Sequence, residues 1–150
     1  MDSSPSKAWV RATRERVGLS QKALADRLGN TVDMVKKWEN PKYSEPPEDA
    51  CRLLESCLKA HRRAVSVSVE QVETIERQTG SRPSEVTLSY FRSQRHYDEY
   101  GRDQGTYGIV NARSREIAAV LESKGYAVQF VYPEDRDETM FTALANTREQ

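Results

Sequence analysis

Residues 31–37, Thr-Val-Asp-Met-Val-Lys-Lys, gather side chains that suit nucleobase edges and the phosphates beside them. A lysine ammonium can donate to guanine, an aspartate can accept from the cytosine amino group, and a valine can touch the thymine methyl. Thr31, Val32, Asp33, Lys36 and Lys37 are therefore candidates for contact with double-stranded DNA. Gln21 adds a side-chain donor at the first turn of a preceding helix, where free backbone amides help to grip an anion. Each residue also has a plainer role. Thr31 reads as a helix cap, Val32 as core, and Asp33 as a negative charge favoured at a helix N-terminus. Lys36 and Lys37 could be solvated surface, and Trp38 lies on the apolar stripe, so it reads as core.

No comparable set points to catalysis. His96, Tyr97, Asp98, Glu99 and Tyr100 could line a small pocket, but no nucleophile, phosphate loop or paired ligand accompanies them, so they read as interface or surface. Gly101, Gly105 and Gly108 are loop punctuation, because a dinucleotide fingerprint needs a different spacing and a preceding strand. Cys51 and Cys57 fall in one helix, with Cα atoms about 9 Å apart. A disulfide needs them within about 7 Å, so they read as free thiols in a reducing cytoplasm. With only His61 and His96 besides, no metal-ligand spacing arises. No enzyme, cofactor or metal is expected.

The elements that must position these side chains follow from apolar spacing and capping residues. Ala8, Trp9, Val10, Ala12 and Val17 recur at helical intervals over 5–17, with Ser4 before Pro5 as the start and Gly18 as the stop. Ser20 caps a second helix over 21–28, whose apolar face is Leu24, Ala25 and Leu28, and Gly29-Asn30 ends it. Thr31 caps a third helix reaching about Asn40, with Val32, Val35 and Trp38 inward and Pro41 beyond. Pro46-Pro47 opens a long helix in which Leu53, Leu54, Cys57, Leu58, His61, Val65, Val69, Val72 and Ile75 recur at steps of three and four. A break near Ser66 is the alternative there. Gly80 ends this helix, and 81–83 forms a linker.

From there the period changes. Residues 86–91 alternate as a strand, 94–100 form a short helix, and Gly105 and Gly108 mark a loop. A helix over about 111–124 stops at Gly125, and a second strand covers 126–132 before Pro133. An acidic loop over 134–138 and a short tail follow. A two-stranded sheet is marginal alone, so these strands are expected to pair with those of a second copy or to pack on the long helix.

The chain has 150 residues, 37% of them hydrophobic, with 23 basic and 23 acidic side chains. No apolar run approaches the roughly 18 residues of a membrane span, and the N-terminus lacks the basic and apolar regions of a signal peptide, so a cytoplasmic location is expected. Zero net charge hides an asymmetry: residues 1–64 carry 13 basic against 9 acidic, and 65–150 carry 10 against 14. A basic binding module joined to an acidic partner segment would give that pattern; ordinary surface variation is the alternative.

The stretch 19–40, with Gln21, Leu24-Ala25, Leu28-Gly29, Val35 and Trp38-Glu39-Asn40, together with Arg14, resembles the XRE/Cro family of helix-turn-helix DNA-binding domains. The resemblance implies that Gln21 grips a phosphate, that Asn40 and Lys42 touch phosphate across the groove, and that Arg14 and Glu39 form a partly buried ion pair. Pro41 departs from the pattern, since glycine is usual there and proline has no amide to donate. Val32-Asp33 replaces the commoner Gln or Arg at base-reading positions. Beyond this segment, the order of long helix, Tyr-Phe strand and following helix is similar to YdiL-like proteins, which include anti-CRISPR-associated repressors.

The expected fold is mainly α (α+β). A lambda-repressor-like domain of four or five helices occupies 1–64, the long helix and linker continue over 65–84, and a small α/β dimerisation module fills 85–150. The expected function is a sequence-specific repressor, homodimeric on an inverted repeat and autoregulatory. An antitoxin that binds DNA and a toxin is the main alternative, and a protein-interaction module another; a further protein or RNA partner is compatible with the basic face, and a membrane is not expected.

Overall fold

The computed structural model describes residues 5–43, 45–103, 105–136 and, as backbone, 141–142. Two units divide the chain, 1–60 and 61–150.

In the first unit, helix α1 is Lys7–Val17, and the Ser6 hydroxyl caps it by accepting from the Trp9 amide at 3.0 Å. The expected start at Ser4 lies outside the described residues, and Pro5 precedes the cap instead of opening the helix. Its buried face is Val10, Thr13, Arg14 and Val17, while Ala8 and Ala12 are exposed. The apolar spacing misled here because a buried arginine stands on the inward face. Helix α2, Gln21–Leu28, is capped by Ser20 and ends at Gly29 with φ 63°. Helix α3, Val32–Trp38, is capped by Thr31 and ends two residues short of the expected Asn40, with Glu39 as its C-cap. Leu19, Leu24, Ala25, Val35, Trp38, Ala50 and Leu54 are buried in this unit.

Helix α4, Glu48–Thr79, is continuous, so no break occurs at Ser66. In the second unit its residues Val65, Val69 and Val72 pack with Val86 and Leu88 of β1 (Val86–Ser89), with Ile117, Ala118 and Leu121, and with Tyr126. Helix α5 is Gln94–Tyr100, and α6 is Tyr107–Ser123. Gly108 therefore lies inside α6 and not in a loop. The early start has a tertiary cause: the Tyr107 amide donates to the Gln94 side chain at 3.1 Å, and Tyr107 packs on Phe91, Tyr97 and Val110.

Strand β2, Val128–Val131, and the two-residue β3, Phe141–Thr142, both pair in parallel with β1, in the order β2-β1-β3. Val86 stands opposite Val128 and Phe141. Both expected strands are shorter than read. The side chain of Asn111 takes over the backbone of Phe91, accepting from its amide at 2.9 Å and donating to its carbonyl at 2.7 Å. The strands thus pair within one chain, joined by α5 and α6, and pack on the long helix; a second copy is not needed to complete the ladder. Of the acidic loop 134–138, Glu134 and Asp135 lie in a single 3-10 turn over Pro133–Asp135, and 137–138 lie outside the described residues. The class is α+β, mainly helical, with the small parallel sheet following the N-terminal helices.

Candidate nucleic-acid interface

Helix α3 is fixed by what it buries. Val35 and Trp38 are in the core, Val32 and Met34 are half-buried, and Thr31, Asp33, Lys36 and Lys37 are exposed. At 3.6 residues per turn, one side of a two-turn helix is committed to packing and the other is left to solvent. Both ends are pinned. The Thr31 hydroxyl accepts from the Met34 amide at 3.2 Å, and the Thr31 amide donates to Asn30 Oδ1 at 2.9 Å. At the other end, the Lys7 ammonium donates to the carbonyls of Lys37 and Trp38 at 3.3 and 3.4 Å, a cation placed where the helix dipole favours one.

Behind this helix lies a buried ionic knot. Glu39 accepts from Arg14 Nε at 2.5 Å and Nη2 at 3.1 Å, while Arg14 Nη1 donates to the Leu19 carbonyl at 2.9 Å. The two side chains are only 9% and 4% exposed. Burying such charges is costly unless the geometry and additional hydrogen bonds compensate, and the two-pronged contact supplies both. Gln21 Nε2 also donates to Glu39 Oε1, at 3.3 Å. One carboxylate thus sets the first turn of α2 against the end of α3, with α1 as the anchor.

Asn40 and Lys42 follow directly. Asn40 Oδ1 accepts from the Lys42 amide at 3.0 Å, and its carbonyl accepts from the Tyr43 amide at 3.1 Å. This turn occupies the carbonyl side of the Asn40 amide, and its NH2 group is the donor that can serve an anion. Tyr43 is 53% exposed, and the Lys37 ammonium stands 5.9 Å from its ring centroid. The structure therefore brings Gln21, Glu39 and Arg14 into one network, and Asn40 and Lys42 into one turn; Asp33 and Lys36 have a place on the exposed side of α3. Lys7 and Tyr43 were missed. Tyr43 beside a lysine-rich segment was a usable signal, whereas nothing local marks Lys7 for carbonyls 30 and 31 residues away in sequence.

In the second unit the polar cluster around His96 is organised for structure. His96 is buried; its Nδ1 accepts from the Arg92 amide at 3.0 Å, so Nε2 carries the proton that is donated to Glu134 at 2.6 Å. Arg92 Nη2 donates to the same carboxylate at 3.0 Å. A backbone hydrogen bond at Glu134, followed by those from His96 and Arg92, outweighs desolvation and lowers its pKa from 4.5 to about 2. The Tyr97 hydroxyl donates to Asp103 at 2.5 Å.

Residues 10–64 match the family model HTH_3, helix-turn-helix. Over that segment the chain is similar to helix-turn-helix domains of the XRE type. The match covers α2 and α3 whole, with most of α1 and the first part of α4, and it supports a DNA-binding transcriptional regulator as the function class. No curated protein matches the chain. Among the described residues, no helix is long and apolar enough to cross a membrane.

Proposed function

We propose that the chain is a sequence-specific transcriptional repressor that binds an inverted repeat as a homodimer, with α3 in the major groove of each half-site. The observation that carries this reading is the exposed side of α3. Asp33, Lys36 and Lys37 face solvent on a helix pinned at both ends, and Lys42 is exposed just beyond it. In this arrangement Asp33 reads base edges, with Thr31 and Val32 beside it. Lys36, Lys37 and Lys42 supply charge for phosphate, and Gln21 and Asn40 add amide donors at the flanks. A homodimer would hold two such helices about 34 Å apart, one helical turn of DNA. Repression would follow from occupying a promoter, its own included, and the second unit would serve as the dimerisation module of a YdiL-like regulator.

The test is a mobility-shift titration of the full chain against DNA from upstream of its own gene and against unrelated fragments. Tight, salt-sensitive binding to the first, lost in an Asp33→Ala, Lys37→Ala double variant that still folds, is the expected result. If the wild type shows no salt-sensitive DNA binding, the reading is wrong.

A further inference from the structure

Strand β2 forms one margin of the sheet, with β1 as its only strand neighbour among the described residues. The amides of Val86 and Tyr90 donate to the carbonyls of Ala127 and Val131 at 2.8 and 2.9 Å. Along a paired strand, alternate residues direct their backbone groups to the same side. Ala127, Gln129 and Val131 therefore turn theirs towards β1, and Val128 and Phe130 turn theirs outward. The next carbonyl in that series, at Tyr132, already accepts from the Asp135 amide at 3.0 Å, and Pro133 ends the strand. The open edge is thus two residues long in its outward groups.

Edge strands that stay unpaired are usually guarded by extreme shortness, charge, proline or a bulge. Residues 127–132, Ala-Val-Gln-Phe-Val-Tyr, contain no charge and no proline. Phe130 is 44% exposed and Tyr132 40%. Beside them runs a groove of about 570 Å³ whose walls include Tyr90, Phe130, Val131 and Tyr132.

We propose that this edge is occupied by β2 of a second copy, antiparallel, about a twofold axis passing beside Gln129; the proposal rests on the homodimer reading above and specifies its interface. Identical strands related by a twofold axis across an edge must run antiparallel. Centring the axis on Gln129 sets Val128 against Phe130 of the partner subunit and Phe130 against Val128 of the partner subunit. The outward amides and carbonyls of Val128 and Phe130 in each chain are then all used. The same pairing puts an aromatic ring beside a β-branched side chain on one face, a favourable cross-strand combination, and covers the exposed Phe130. Because residues 127–132 are uncharged, no like charges face one another within the paired strands themselves, although Arg115 and Asp135 also line the groove. A three-stranded sheet with one two-residue strand becomes a continuous six-stranded one.

The register gives a sharp test. Gln129 would face its counterpart as a non-hydrogen-bonded pair, with Cα atoms about 4.5 Å apart. That separation falls within the roughly 4.4–6.8 Å that a disulfide spans. In a full-length Cys51→Ser, Cys57→Ser background, Gln129→Cys should form a reducible species of twice the chain mass under mild oxidant. Ala119→Cys, exposed on α6, should not. In sedimentation at tens of micromolar, the wild type should be dimeric and Phe130→Lys, which sets two charges across the axis, monomeric with unchanged circular dichroism. A wild type that is dimeric while Gln129→Cys cross-links no better than Ala119→Cys, or while Phe130→Lys remains dimeric, overturns this interface and leaves the homodimer standing. A monomeric wild type overturns both.

Discussion

The carboxylate of Glu39 is the single acceptor for two Arg14 nitrogens and for the amide of Gln21, so removing it strands a guanidinium whose side chain is 9% exposed. Breaking a buried pair from one side costs about 3–5 kcal/mol. Glu39→Ala should therefore unfold the first unit at markedly lower urea, read by the fluorescence of Trp9 and Trp38. A loss below about 1 kcal/mol would mean that the pair is solvated in solution. A second residue-scale expectation concerns acid. Glu134 has a folded pKa of about 2 against an ordinary 4.5, so the unfolded chain binds its proton more readily. Its stabilisation is complete above 4.5 and drains away as pH falls from 4.5 towards 2. Glu134→Gln should lower stability at neutral pH and flatten the acid dependence over that window. An acid limb identical to that of the wild type would show that Glu134 does not carry it. Neither network was written in local sequence. Arg14 and Glu39 were paired only by family resemblance, and the partners of His96, 4 residues away for Arg92 but 38 for Glu134, come together through the fold.

At the scale of elements, helix ends were legible where the cap is made within a few residues. Ser20, Thr31, Gly18 and Gly29 all act where their types predict. Gly29 is a clean case, because its φ is +63° and a Cβ there would meet nothing within 4 Å. The cost of Gly29→Ala is then backbone strain alone, about 1–2 kcal/mol. Thermal denaturation should show a modest drop in Tm with no change in the α2–α3 packing seen by NMR. Elements set by distant contacts were read less well. Helix α6 starts at Tyr107 because Gln94 receives its amide, which overrides Gly108 as a helix breaker. Residues 86–91 alternate as far as Phe91, but Asn111 claims the backbone of Phe91, so β1 stops at Ser89. Parallel pairing of β1 with β2 and β3 is likewise invisible to a local pattern, since the partners lie some forty residues apart or more.

For the whole molecule, neutrality is the sum of a first part, 1–64, with 13 basic and 9 acidic residues and a second part, 65–150, with 10 and 14. Phosphate contacts release counterions, so the logarithm of affinity falls with the logarithm of salt by about 0.9 for each phosphate neutralised. Lys36 and Lys37 belong to the proposed binding surface, and a homodimer presents each of them twice. If Lys37 meets phosphate in both half-sites, Lys37→Ala should reduce the magnitude of the salt slope by about 1.8, whereas a single bound chain would lose about 0.9. Affinity should fall by a similar factor on cognate and unrelated DNA, because phosphate carries no sequence information. Asp33→Ala should do the reverse, leaving the slope nearly unchanged while altering which sequence is preferred. Fluorescence anisotropy at several salt concentrations, with wild type and both variants, measures all of these quantities together. A slope unmoved by Lys37→Ala would remove that residue from the phosphate contacts, and a loss near 0.9 in a chain that sediments as a dimer would mean that only one of its two α3 helices engages the duplex.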